Sequence, residues 1–178
     1  MSDRDVSDKV VVFTLADRTF ALPGDRVREC LPLPLLWRRE GVPVHVAGFF
    51  ELSGVVLPVL DLGLLFGLRA VVPDLMPGSE GALPGYEAGG LYRHLLRLDR
   101  LALLVDRVTM LADRAPGAPD ARPDDWQNAC VMGWIEVAGD PVALLDADRI
   151  LLADEAGRLQ RLAEDAGRRR ALWAVDAG

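Results

Sequence analysis

Residues 48–61 read GFFELSGVVLPVLD, and residues 133–146 read GWIEVAGDPVALLD. Sliding the first stretch by 85 positions (133 minus 48) sets Gly48 on Gly133, Glu51 on Glu136, Gly54 on Gly139, Leu60 on Leu145 and Asp61 on Asp146. Apolar positions keep their type: Phe50 with Ile135, Leu52 with Val137, Leu57 with Val142, Val59 with Leu144. Each copy reads as a strand, a tight turn at a glycine and a second strand. An aspartate then caps a helical turn, in the first copy Asp61 before LGLLFG.

The repeat decides how its polar residues are read. Chemistry rarely comes in two copies on one short chain, whereas folding units do, so Asp61 reads as a structural N-cap. Glu51 reads as a solvent-facing strand residue rather than a general acid. Ser53 becomes Ala138 in the second copy, so no hydroxyl is required there.

The flanking segments fit the same plan. VVVFTL (10–15) and FAL (20–22) read as strands around a turn at Asp17 and Arg18, and PGDRVREC continues into an extended piece carrying Val27. DRVREC from Asp25 matches DRVTML from Asp106. Residues 31–47, with three prolines, read as a crossing segment. Residues 91–98 and 101–111 read as a hairpin turning at Asp99-Arg100, with 101–111 a single strand, and 130–147 as a third hairpin. Glycine and proline mark 69–90 as a linker, and 113–128 as a loop in which Trp126 is a packing residue or a partner anchor. From Asp148 the chain favours helix, with Leu159, Leu162, Ala163 and Ala166 on one face.

Composition closes off several function classes. Half the residues are apolar, so 178 residues can bury a real core. A net charge of −7 argues against nucleic acid or an anionic membrane as partner. Residues 1–8 are polar, so no secretory signal is expected and this end reads as disordered. Apolar runs are too short for a membrane helix, so no direct membrane insertion is expected. Cys30 and Cys130 lack CxxC spacing and read as two buried, reduced thiols of a cytoplasmic protein. His45 and His94 form no metal-ligand spacing, and no phosphate-binding or nucleophile-elbow motif occurs. No catalytic, metal or cofactor-binding residue is therefore assigned, and the chain is read as not an enzyme.

In order and spacing, the segments VVFTLADRTFALPGDRVREC, PVHVAGFFELSGVVLPVLDL, LALLVDRV and GWIEVAGDPVALLDADRIL resemble the CheW-like family, the coupling proteins of bacterial chemosensory arrays. The resemblance runs from Lys9 to Leu152. It implies an all-β fold of two small five-stranded SH3-like β-barrels with short helical turns, each barrel built from one half. The first would span 9–68 and the second 91–152, with exchange of strands between them left open, and 153–178 would be a helical extension. It also implies a non-enzymatic adaptor that couples the cytoplasmic tip of a chemoreceptor to the regulatory domain of a histidine kinase. The V-x-E segment and the hairpin glycine map the receptor side to Val27, Glu29 and Gly48. Glu51 and Ser53 join them, where the family commonly reads N-L-R-G. The kinase side maps within 91–152, to Leu103, Val105 and Val108. Two alternatives stay open: a CheW-like scaffold outside taxis, in pilus motility or another kinase cascade, and an unrelated small-barrel ligand-binding protein or enzyme.

Overall fold

The structure, a computed structural model, describes residues 9–38, 41–69, 93–114 and 129–175. The segment 1–8, the linker beyond Arg69 and the loop with Trp126 lie outside the described residues. Ten strands are described: β1 (Lys9–Leu15), β2 (Arg18–Pro23), β3 (Glu29–Pro32), β4 (Val46–Leu52), β5 (Val55–Asp61), β6 (His94–Arg97), β7 (Ala102–Val105), β8 (Arg107–Asp113), β9 (Val131–Val137) and β10 (Asp140–Leu145). Helix α1 (Leu62–Leu65) follows β5, and α2 (Ala153–Val175) ends the described chain.

The strands form two five-stranded sheets, ordered β8-β1-β2-β10-β9 and β3-β6-β7-β5-β4. The strands exchange between the halves, the possibility left open by the sequence, rather than forming one sheet per half. The opening hairpin of each half is built into the sheet of the other: β1 and β2 sit among β8, β9 and β10, while β6 and β7 sit among β3, β4 and β5. One parallel contact joins the halves within each sheet, β2 with β10 and β5 with β7. Among the described residues no strand pairing joins β8 to β9 or β3 to β4.

The interleaving follows from strands that are apolar on both faces. Side chains alternate along a strand, so Val10 and Val12 of β1 enter one cluster with Ala21, Ile135, Val137, Val142 and Leu144. Their neighbours Val11, Phe13 and Leu15 point the other way, into a cluster with Phe49, Leu60, Leu62, Leu96, Leu103 and Val105. That second cluster draws on both sheets and welds them together. A third, with Phe50, Leu57, Val59, Leu95 and Leu104, fills the other sheet. Fully burying each such side chain contributes roughly 1.5–3 kcal/mol, so strands with two apolar faces gain most in the middle of a sheet that also faces a second one.

The repeat of 48–61 and 133–146 is visible in backbone detail. Both hairpins turn on two residues with positive φ, Ser53 (51°) with Gly54 (80°) and Ala138 (54°) with Gly139 (91°), the type I′ geometry that matches strand twist. Both carry a register shift at the same place, between the pairs Val46↔Leu60 and Gly48↔Val59 and between Val131↔Leu145 and Gly133↔Leu144. Asp61 accepts from the Leu64 N–H (3.1 Å) to cap α1, and Asp146 accepts from the Asp148 N–H (3.0 Å) to cap a 3-10 turn. The Asp61 and Asp146 amides donate to the carbonyls of His45 and Cys130, both at 2.8 Å.

Smaller expectations also change. The first turn falls at Ala16-Asp17 (φ 46° and 66°), one residue earlier than read. The stretch 101–111 is broken at Asp106, between β7 and β8, which lets the chain cross from one sheet to the other. Val27 lies between a 3-10 turn and β3, outside any strand. Cys130 is buried as expected, but Cys30 is exposed, because β3 is an edge strand. Helix α2 runs unbroken through Gly157 and Gly167 and lays Leu159, Ala163 and Ala166 inward, with Leu162 partly buried.

Candidate functional site

The charged groups fall into an inner set and an outer set. Inside, Arg93 Nη2 donates to Asp61 Oδ2 at 2.8 Å, with both side chains almost fully buried. Arg93 Nε lies 3.5 Å from Asp106 Oδ1, and Arg69 reaches both aspartates. Asp106 also accepts from the Ala16 N–H at 2.8 Å, tying the β1–β2 turn to the crossing between β7 and β8. Both carboxylates are filled by guanidinium groups from within the fold, an arrangement suited to pinning segments together rather than to proton transfer. Arg93 was missed in the sequence; its signal was an arginine directly before an apolar strand.

The outer set contains the residues expected to meet a receptor. Glu29, on edge strand β3, accepts from Arg97 Nη1 (2.9 Å) on the paired strand β6. Arg28 Nε donates to Asp99 at 2.6 Å, and this bond holds the Asp99 carboxyl below its usual range. Val27 is half-buried and packs against the central cluster. Beside these residues an open cavity of about 360 Å³ is lined by Asp25, Arg26, Arg28, Asp99, Arg100 and Leu151, among others. A second, of about 340 Å³, shares Arg100, Leu101, Leu151 and Ala156 with it and continues along the start of α2.

Gly48 is buried. A Cβ there would lie 2.7 Å from the Trp37 carbonyl oxygen, where the chain crosses β4; the glycine is required by this close approach. Glu51 is exposed at the far end of β4, and Arg170 of α2 stands 3.4 Å from its carboxylate. Ser53 lies just past the end of β4, in the turn, with positive φ.

The expected kinase-side residues separate. Leu103 and Val105 have no exposed surface and lie in the central cluster, so they cannot touch a partner of the folded chain. They belong to β7, an interior strand apolar on both faces. Val108 is partly buried on β8. The exposed apolar side chains nearby are Met110 and Leu111 of β8 and Met132 of β9, at the two ends of one sheet.

Among the described residues no three His, Cys, Asp or Glu side chains gather as a metal site, and no helix is long and apolar enough to cross a membrane. No curated protein matches the chain. The crystal structure of the scaffolding protein TtCheW from Thermoanaerobacter tengcongensis has a similar fold, with a TM-score of 0.65 at 18% identity over 83% of this chain and 90% of that one. A family model described as the CheW-like domain matches residues 9–155, which take in all ten strands and both copies of the hairpin. The chain therefore belongs to the CheW-like family.

Proposed function

We propose that the chain is a non-enzymatic scaffold that couples the cytoplasmic tip of a chemoreceptor to the regulatory domain of a histidine kinase. The observation that carries this reading is the edge at β3. There Glu29 is held by a cross-strand ion pair to Arg97 and Arg28 by an ion pair to Asp99 in the turn after β6, next to half-buried Val27 and an open groove. Charges fixed in place on an edge lose less side-chain freedom when a partner binds, and they set register and selectivity more than raw affinity. The receptor side accordingly comprises Val27, Glu29 and the groove, with Glu51 and Ser53 of the β4–β5 hairpin, at the other edge of the sheet, as a further part of it. The role places the chain in the cytoplasm.

The kinase side is assigned to the exposed Met110 and Leu111 of β8 and Met132 of β9, together with half-buried Val108 of β8. Exposed apolar residues on edge strands suit a barrel-like regulatory domain. Such signalling contacts are small, so micromolar affinity is expected. The test is titration of the full chain with the cognate kinase regulatory domain and, separately, with a receptor-tip fragment. Leu111→Lys should weaken kinase binding at least tenfold and leave the receptor arm unchanged, while Glu29→Lys should do the reverse. Absence of binding to either partner at several hundred micromolar removes the coupling role.

A further inference from the structure

Arg170 is seated between two groups that together make a guanidinium site. Its guanidinium carbon lies 4.4 Å from the centre of the Trp37 ring, and Nε lies 3.4 Å from a Glu51 carboxylate oxygen. An aromatic face on one side and a carboxylate on the other is the chemistry that holds arginine in preference to lysine, because a planar cation can stack and bond at once. The group that fills this notch comes from residues 156–178, which lie beyond the family match at residue 155.

Helix α2 is held unevenly along its length. Leu159, Ala163 and Ala166 are buried, so its first turns are part of the core. At Gly167 the helix still passes close to β5; a Cβ there would lie 3.2 Å from Val56. Beyond Gly167, among the described side chains, Arg170 supplies the contact with the β4–β5 hairpin, and Leu172 is exposed. The half-exposed ion pair and stacked cation are contacts of the weak class, exchangeable for equivalent ones from a partner. Release of these last turns would leave the core side of the helix in place.

We propose that the Trp37–Glu51 notch is an arginine-binding site that Arg170 occupies in cis, and that a partner helix docking on this side displaces the last turns of α2 with an arginine of its own. This deepens the receptor-side reading above and rests on it for the identity of the partner, though not for the notch itself. The partner chemistry is a helix presenting a guanidinium to an acidic, aromatic surface. The tail of α2 then acts as a built-in competitor, and the apparent affinity is reduced by the fraction of time the notch is filled.

The experiment uses the full chain with Arg170→Ala, which empties the notch without touching the buried face of α2. The probe is an alanine-based helical peptide with one arginine, and its twin has citrulline, which keeps the shape and loses the charge. The readout is the Trp37 side-chain indole resonance. Arginine peptide should shift it saturably in the Arg170→Ala protein, with an apparent affinity about fivefold better than in the unsubstituted chain. The citrulline twin, and arginine peptide added to an Arg170→Ala, Glu51→Gln protein, should give no saturable shift. Equal responses to both peptides, or equal affinity with and without Arg170, overturn the proposal. A chain that discriminates the peptides but binds no receptor tip keeps the notch and loses the coupling role. A chain that binds receptor tip without discriminating the peptides keeps the coupling role and loses the notch.

Discussion

Asp61 and Asp146 cap equivalent helical turns at the ends of the two hairpin copies, yet only Asp61 is joined to buried Arg93, at 2.8 Å. One side chain therefore does two jobs where its counterpart does one. Asp146→Ala removes a cap and should cost about 1 kcal/mol. Asp61→Ala leaves Arg93 buried beside a single remaining aspartate and should cost about 3–5 kcal/mol. Urea unfolding of the two variants measures the difference. Equal losses would mean that the inner ion pairs contribute nothing beyond the cap.

Gly48 and Gly133 form a similar unequal pair. A Cβ at Gly48 would lie 2.7 Å from a backbone oxygen, which cannot swing aside, whereas one at Gly133 would meet nothing within 4 Å. Gly48→Ala should cost about 1–3 kcal/mol from overpacking, and Gly133→Ala should stay within about 0.5 kcal/mol of the unsubstituted chain. Thermal unfolding of the two variants side by side is sufficient. Selection for partner binding at Gly48 predicts instead a stable variant with lost receptor affinity.

Local features were legible in the sequence because they depend on local chemistry. The hairpin turns followed from the repeated glycines Gly54 and Gly139, and the α1 cap from Asp61 before an apolar turn. The interleaving of the halves was hidden, because an apolar run such as VVVFTL announces burial on both faces but not which sheet provides it. The same ambiguity misplaced Leu103 and Val105 at a surface. Arg93 and Arg170 were missed for a related reason. Their partners Asp61 and Glu51 lie far away in sequence, and a lone arginine carries no sign of its partner.

Val27 is half-buried against the central cluster, so its replacement tests packing and binding together. Val27→Asp sets a carboxylate against apolar neighbours and should lower stability by about 1–3 kcal/mol, short of unfolding the chain. Val27→Thr keeps the shape with a smaller polar cost. If Val27 also meets the receptor, Val27→Thr should weaken receptor-tip binding by more than its small loss of stability explains. Circular dichroism melts and titration of the same samples separate the two effects. Unchanged binding in a folded Val27→Thr protein assigns Val27 to the core alone.

Cys130 and Cys30 are chemically opposed. Burial raises the Cys130 thiol from 9.0 to about 11, and Cys30, also raised by burial, lies exposed on an edge strand. At pH 8 a thiol reagent should therefore modify Cys30 readily and Cys130 only at the rate of global unfolding. The raised value also couples stability to pH. Between pH 9 and about 11 the folded thiol keeps a proton that the unfolded one has released. The stabilising contribution is therefore fully present below pH 9 and lost as pH climbs toward 11. Urea midpoints from pH 8 to 10.5 should fall more steeply in the unsubstituted chain than in Cys130→Ala, which lacks the titrating group. Parallel slopes for the two proteins would show that Cys130 ionises as freely in the fold as in the unfolded chain.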